Sequence, residues 1–139
     1  MPRLRKSLKQ RVIAESQSQR AYCHSPESLM GIAFEIDHIT PRSAGGRTAF
    51  DNLCLSCPTC NRYKANRVKA RDPVSRRLVR LFRPKRDNWP GHFQWDENYS
   101  LLLGLTPTGR ATIEALRINR PALVLLRQYW KVVGVWPNE

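Results

Sequence analysis

The stretch from Phe34 to Arg67, FEIDHITPRSAGGRTAFDNLCLSCPTCNRYKANR, concentrates the groups able to do chemistry at neutral pH. It opens with an apolar and acidic alternation ending in Asp37-His38 and turns through Pro41 and Gly45-Gly46. It resumes at Phe50-Asp51-Asn52-Leu53 and closes with Cys57-Pro58-Thr59-Cys60-Asn61-Arg62. This order predicts strand, loop, strand, knuckle and helix. By the period of two, Phe34, Ile36 and His38 share one strand face and Glu35, Asp37 and Ile39 the other. Folding the hairpin over the helix start brings Asp37, His38, Asn52 and Asn61 together. Hydrolysis of a phosphodiester needs a base for water, a cation on the phosphate and its leaving oxygen, and a group that holds the base still. These four residues can supply all three.

The run resembles the HNH endonuclease motif, whose ββα-metal unit carries a His after an Asp, a central Asn before an apolar residue, and a final His or Asn. Those positions here are His38, Asn52 and Asn61. The resemblance implies that His38 is the general base, that Asp37 and Asn61 are ligands of a catalytic cation, and that Asn52 fixes the loop that orients His38. A carboxylate with an amide carbonyl suits magnesium or manganese, with waters and substrate phosphate filling the other positions. The implied activity is that of a metal-dependent DNA endonuclease leaving 5′-phosphate and 3′-hydroxyl ends. Its rivals are a non-catalytic nucleic-acid-binding module on the same scaffold and a DNA-cutting subunit of a larger defence or mobile-element complex. The stretches DPVSRRLVRLFRPKRDNWPGHFQW and GLTPTGRATIEALRINRP look like the tail of small stand-alone bacterial and cyanobacterial HNH proteins, so the resemblance runs from Tyr22 to about Trp136.

A second site comes from the same family. In it, a first Cys-x-x-Cys knuckle pairs with the second to hold a structural zinc, but Arg20 stands here where the first thiol is expected. Cys23, Cys57 and Cys60 remain. Structural zinc takes four ligands, and the fourth would be His24 or Cys54, unless Cys54 is simply a small buried residue of the second strand.

The whole chain supports this chemistry. Its 139 residues, 41% hydrophobic, suffice for one compact domain. With the resemblance, the expected class is α+β: an HNH core followed by a basic extension, a β-hairpin and C-terminal helices. The expected segments are 1–19, 20–70 and 71–139. A net charge of +13 favours a nucleic-acid partner, here double-stranded DNA bound largely through phosphates, over an acidic protein or a membrane surface. No apolar run approaches the ~18 residues of a membrane span, and MPRLRKSLKQR lacks the apolar core of a signal peptide. The expectation is a cytoplasmic, nucleoid-associated protein whose four cysteines are reduced and point to metal before disulfide.

Outside the motif, Leu4, Leu8 and Val12 predict an amphipathic helix over Pro2 to Ser18, its basic side either on DNA or simply solvated. Arg42 and Arg47 flank the central loop. Eleven basic residues between Asn61 and Arg86, among them Arg62, Lys64, Arg67, Lys69, Arg76, Arg77 and Arg80, face one acid, Asp72. This run reads as a phosphate-gripping surface that begins on the motif helix. Asn88 to Leu105 reads as a hairpin around Asp96-Glu97-Asn98, where His92 is a weaker catalytic candidate in an aromatic strand. Thr106-Pro107 and Arg120-Pro121 open two helices that pack as a supporting lobe.

Overall fold

Strand β1 (Glu35–His38) pairs antiparallel with β2 (Leu53–Ser56), setting Asp37 opposite Cys54 and His38 opposite Leu53. This is the computed structural model of the chain, and it describes residues 5–16 and 21–137. Before the hairpin come helix α1 (Lys6–Ser16) and the single turn α2 (Glu27–Met30). After it, α3 (Pro58–Lys64) starts with Pro58 at its first position, where the missing N–H costs nothing, and the Cys57 thiol accepts from the Cys60 N–H at 3.3 Å. Helix α3 packs on β1, and α1 lays its one buried side chain, Val12, toward β2. The basic side of α1 is partly used internally. Arg11 sits 4.2 Å above the Phe50 ring, while Lys85 lies 3.7 Å from the same ring and pairs with Glu15 at 2.7 Å.

The chain divides into two compact units where the sequence leads one to expect a single domain. The first comprises Met1–Val68 and Arg83–Asp87, the second Lys69–Phe82 and Asn88–Glu139. In the second unit, β3 (Lys69–Arg71) pairs with β4 (Leu78–Arg80). The short helix α4 (Trp89–His92) leads into β5 (Phe93–Trp95), which pairs with β6 (Leu102–Gly104), and helices α5 (Pro107–Leu116) and α6 (Pro121–Val132) follow. The hairpin and both helices lie where the turn and capping signals put them: Thr106 accepts from the Gly109 N–H at 3.0 Å, and each helix begins on its proline.

The core of this unit is made by Phe82, Phe93, Leu102, Leu116, Ile118 and Leu123, each at most 4% exposed. Fully burying such a side chain contributes about 1.5–3 kcal/mol relative to leaving it in water. Arg127 is buried beside them, donating to the Ser100 and Ile118 carbonyls at 2.9 Å with its guanidinium 5.0 Å from the Trp95 ring. His92 is structural here: Nδ1 lies 2.6 Å from Thr106 Oγ1, and the ring meets the edge of Phe82.

Two sequence expectations change. The motif helix stops at Lys64, because Ala65 takes φ 52°, so the basic run does not continue on it but folds into the β3–β4 hairpin. The first helix spans Lys6–Ser16, and the rest of the expected Pro2 to Ser18 range lies partly outside the described residues, as does Arg20. Among the described residues no helix is long and apolar enough to cross a membrane.

Candidate active site

A cavity of about 460 Å³ opens in the first unit, with Glu35, Asp37, His38, Arg42, Asn61 and Arg62 in its lining. It gathers residues from β1, from the turn after it and from α3. His38 and Asp37 are neighbours in the strand and therefore leave it on opposite faces. Asp37 is 7% exposed, and its two hydrogen bonds both fall on Oδ2: the Tyr22 hydroxyl donates at 3.3 Å and Lys64 Nζ at 3.0 Å. Lys64 also donates to the His38 carbonyl at 2.9 Å, so one ammonium ties down both residues of the Asp-His pair. Burial raises the Asp37 pKa above the ordinary carboxylate value, and Lys64 and Tyr22 offset only part of that effect.

Lys64 is itself 2% exposed. The sequence reading places it on phosphate, and the structure corrects this: its charge is spent inside the protein on Asp37. A buried ammonium without such a partner would lose several kcal/mol of solvation.

Asn61 is held by Glu35, whose Oε1 accepts from Asn61 Nδ2 at 3.0 Å. The amide carbonyl oxygen of Asn61 is left over. His38 Nε2 lies 2.9 Å from Thr48 Oγ1. Burial lowers the His38 pKa below its ordinary value, with Asp37 opposing and the charges of Arg42 and Lys64 adding to the shift. The imidazole is thus neutral at pH 7.

The loop after His38 is clamped by Asn52. Its Oδ1 accepts from the Thr40 N–H at 2.9 Å, while Nδ2 donates to the Thr40 and Arg47 carbonyls at 3.0 and 2.8 Å. The Asn52 carbonyl also accepts from the Ile39 N–H. One side chain therefore closes a loop of eight positions, 40–47, that begins two residues after His38. Gly46 is required by the same closeness, because a Cβ there would run into the Thr40 carbonyl.

Residues 21–67 match the family model described as HNH endonuclease. This segment is of HNH endonuclease type by that match. The HNH match falls wholly within the first unit and covers the hairpin, the loop clamp and α3. It supports a nuclease-type function in general, with nucleic acid as the implied substrate class. Comparison with curated proteins and with solved structures finds no match.

The HNH segment also carries the thiol cluster. The sulfurs of Cys23, Cys57 and Cys60 all lie within 4.8 Å of one another and are buried, so the three can hold a metal ion. Contact with Cys23 and Cys57 pushes the Cys60 thiol well above its ordinary pKa, and a bound cation would favour the thiolate forms. Neither proposed fourth ligand joins them. Among the described residues His24 is outside the cluster, and Cys54 lies opposite Asp37 in the ladder, where burial pushes its thiol up beside Asp37.

Of the other basic candidates, Arg42 and Arg62 line the cavity, Arg47, Arg67, Lys69, Arg76 and Arg77 are exposed, and Arg80 is half-buried. Three residues at the site escape the sequence reading. Glu35 shares its strand face with Asp37 by the period of two, which is a usable signal. Tyr22 and Thr48 have none, since each meets its partner only through tertiary folding.

Proposed function

We propose that the chain is a metal-dependent DNA endonuclease with His38 as the general base. The observation that supports this best is how Asp37 and Asn61 are held. Each is fixed by one atom, Asp37 by Oδ2 and Asn61 by Nδ2, each keeps one oxygen uncommitted, and both residues belong to the lining of the same cavity. Two such oxygens, one anionic and one neutral, suit a hard divalent cation such as magnesium or manganese. Bound there, that cation would supply positive charge to the phosphate and its leaving oxygen.

The protein's own part is then positional. In the tautomer protonated at Nε2, His38 donates to Thr48, and Nδ1 keeps the lone pair that takes a proton from water. Asn52 and Lys64 keep the imidazole in place from the loop side and the backbone side. Glu35 takes up the NH₂ of the Asn61 amide, so the carbonyl oxygen is the atom that would be left to hold the cation. Arg42 and Arg62 steady the phosphate, and in-line attack of water on phosphorus breaks the bond to the 3′ oxygen, which takes a proton from solvent, leaving 5′-phosphate and 3′-hydroxyl ends. Cys23, Cys57 and Cys60 would hold a structural zinc ion, which would tie the segment before the hairpin to the start of α3.

The test is incubation of purified protein with supercoiled plasmid, with and without magnesium or manganese, beside a His38→Ala control. Metal-dependent cutting that the variant loses, by about 10²–10⁴-fold, with DNA binding kept, is the expected result. Equal cutting by the variant sinks the role of His38, and binding without cutting favours the non-catalytic module. Metal analysis of protein purified without added zinc should give about one equivalent per chain, absent once Cys57 and Cys60 are mutated.

A further inference from the structure

The β3–β4 hairpin has one face covered and one face bare. In its register Ala70 pairs with Val79, and this pair turns inward, Ala70 being 8% exposed, with α5 packed on both strands. The flanking pairs, Lys69 with Arg80 and Arg71 with Leu78, project to the other face. Leu78 is 59% exposed there. At the tip, Val74 is 70% exposed beside Arg76 and Arg77, which are exposed as well. The one acid of the hairpin, Asp72, is fully buried and paired with Arg110, so the hairpin itself presents cations and no exposed carboxylate.

The tip is also rigid. Asp72 Oδ1 and Oδ2 accept from the Val74 and Ser75 N–H groups at 3.1 Å, and Arg110 grips the same two oxygens at 2.9 and 2.8 Å. The Asp72 carbonyl takes the Arg76 N–H at 2.8 Å, holding Arg76 at φ 68°, and Arg71 reaches over to the Arg76 carbonyl. Ordering an exposed turn costs conformational entropy on folding. Here that cost is already met before any partner arrives, and what the turn presents is an isopropyl group between arginines.

A two-stranded ribbon is one of the two elements that fit the major groove of B-form DNA, about 12 Å wide. We propose that the β3–β4 ribbon enters that groove, its cations on the flanking phosphates and Val74 and Leu78 against base edges, where thymine methyl groups offer an apolar surface. The inference rests on the nucleic-acid reading above and sharpens it. It makes binding depend on base composition, and it selects DNA over duplex RNA, whose major groove is too deep and narrow for side chains to read.

The experiment measures fluorescence anisotropy of the full chain, without magnesium or manganese, on a thymine-rich DNA duplex, on the same duplex with deoxyuridine for thymine, and on the RNA duplex of that sequence. Removing each methyl that the ribbon touches should weaken binding about three- to fourfold, and RNA should bind more weakly still. In the Val74→Ser/Leu78→Thr variant, whose sites are exposed and whose melting temperature should hold, the thymine preference should vanish. Arg71→Gln with Arg77→Gln should reduce the salt slope by about 0.9 for each phosphate that is no longer neutralised. A thymine-to-uracil ratio of one in the wild type, an unchanged ratio in the variant, or RNA bound as tightly as DNA overturns the proposal. Plasmid cutting without thymine preference would sink the ribbon alone. Thymine-dependent binding by a protein that never cuts would sustain the ribbon and sink the nuclease.

Discussion

The molecule buries two aspartates against two cations, and they are built differently. Asp72 is saturated: Arg110 and two backbone N–H groups engage both of its oxygens, and the Arg110 hydrogen bonds hold its carboxyl well below the usual carboxylate range. Asp37 is engaged on one oxygen only, and its pKa moves the other way. By distance alone the two pairs look alike, at 2.8 and 3.0 Å. Counting lone pairs separates them. A saturated carboxylate can do nothing more than hold a turn, while a half-used one at a cavity keeps the capacity to bind something that is not protein.

The comparison can be broken most directly by removing each charge in turn. Asp37→Asn should lower plasmid cutting by about 10²–10³-fold, the scale of removing one electrostatic interaction from a transition state, whereas Asp72→Asn should leave the rate per folded molecule unchanged. Similar rates for both would erase the distinction. On the stability side, Lys64→Met should cost about 3–5 kcal/mol in urea unfolding, because buried Asp37 loses its counter-charge and keeps only the Tyr22 hydroxyl. Lys64→Met with Asp37→Leu should recover most of it, and a double variant as weak as the single would show that the pair does not stand by itself. Glu35 is exposed, so Glu35→Ala should leave the melting temperature in place yet reduce cation affinity and cutting by about 10–100-fold. An unaffected Mn²⁺ titration would remove Glu35 from the site.

The smallest effect concerns pH. His38 must be neutral to accept a proton, and its pKa lies below the ordinary 6.5, so cutting should fall only as pH drops below that value. Arg42 contributes to the lowering. Arg42→Gln should therefore move the acid limb of the rate profile to higher pH, and a shift the other way would contradict the electrostatics.

Much of the site is legible in the sequence because its chemistry fixes identity and spacing together. Asp37-His38, Asn52 and Asn61 announce themselves by their order, and Thr106-Pro107 and Arg120-Pro121 mark helix starts by local capping rules. Lys64 is not legible. A long basic residue at the end of a basic helix belongs in water unless a buried carboxylate waits for it, and that carboxylate lies 27 residues back. The β3–β4 hairpin was within reach: Asp72-Pro73 and Ser75 are turn formers, and Asp72 does make the bonds to Val74 and Ser75 that such residues favour. The density of arginine hides it, because charge speaks of partners and says nothing of backbone shape. The division into two units is the hardest to foresee, since it depends on how the chain closes around residues 69–82.

That division has a consequence for anyone who would take the protein apart. The first unit is discontinuous: after Val68 the chain leaves it, returns for Arg83–Asp87 and leaves again. The returning segment brings Lys85, which bonds the Phe50 carbonyl and Glu15. A truncation after residue 68 would keep all of the matched family segment and still strip away this cross-tie between the first helix and the loop that carries Asn52. During synthesis, too, the segment holding the candidate base cannot complete its packing until the ribbon beyond it has been made. The boundaries of the family match and the boundaries of the folded body are different things here, and a protease cut between them would not yield a working half.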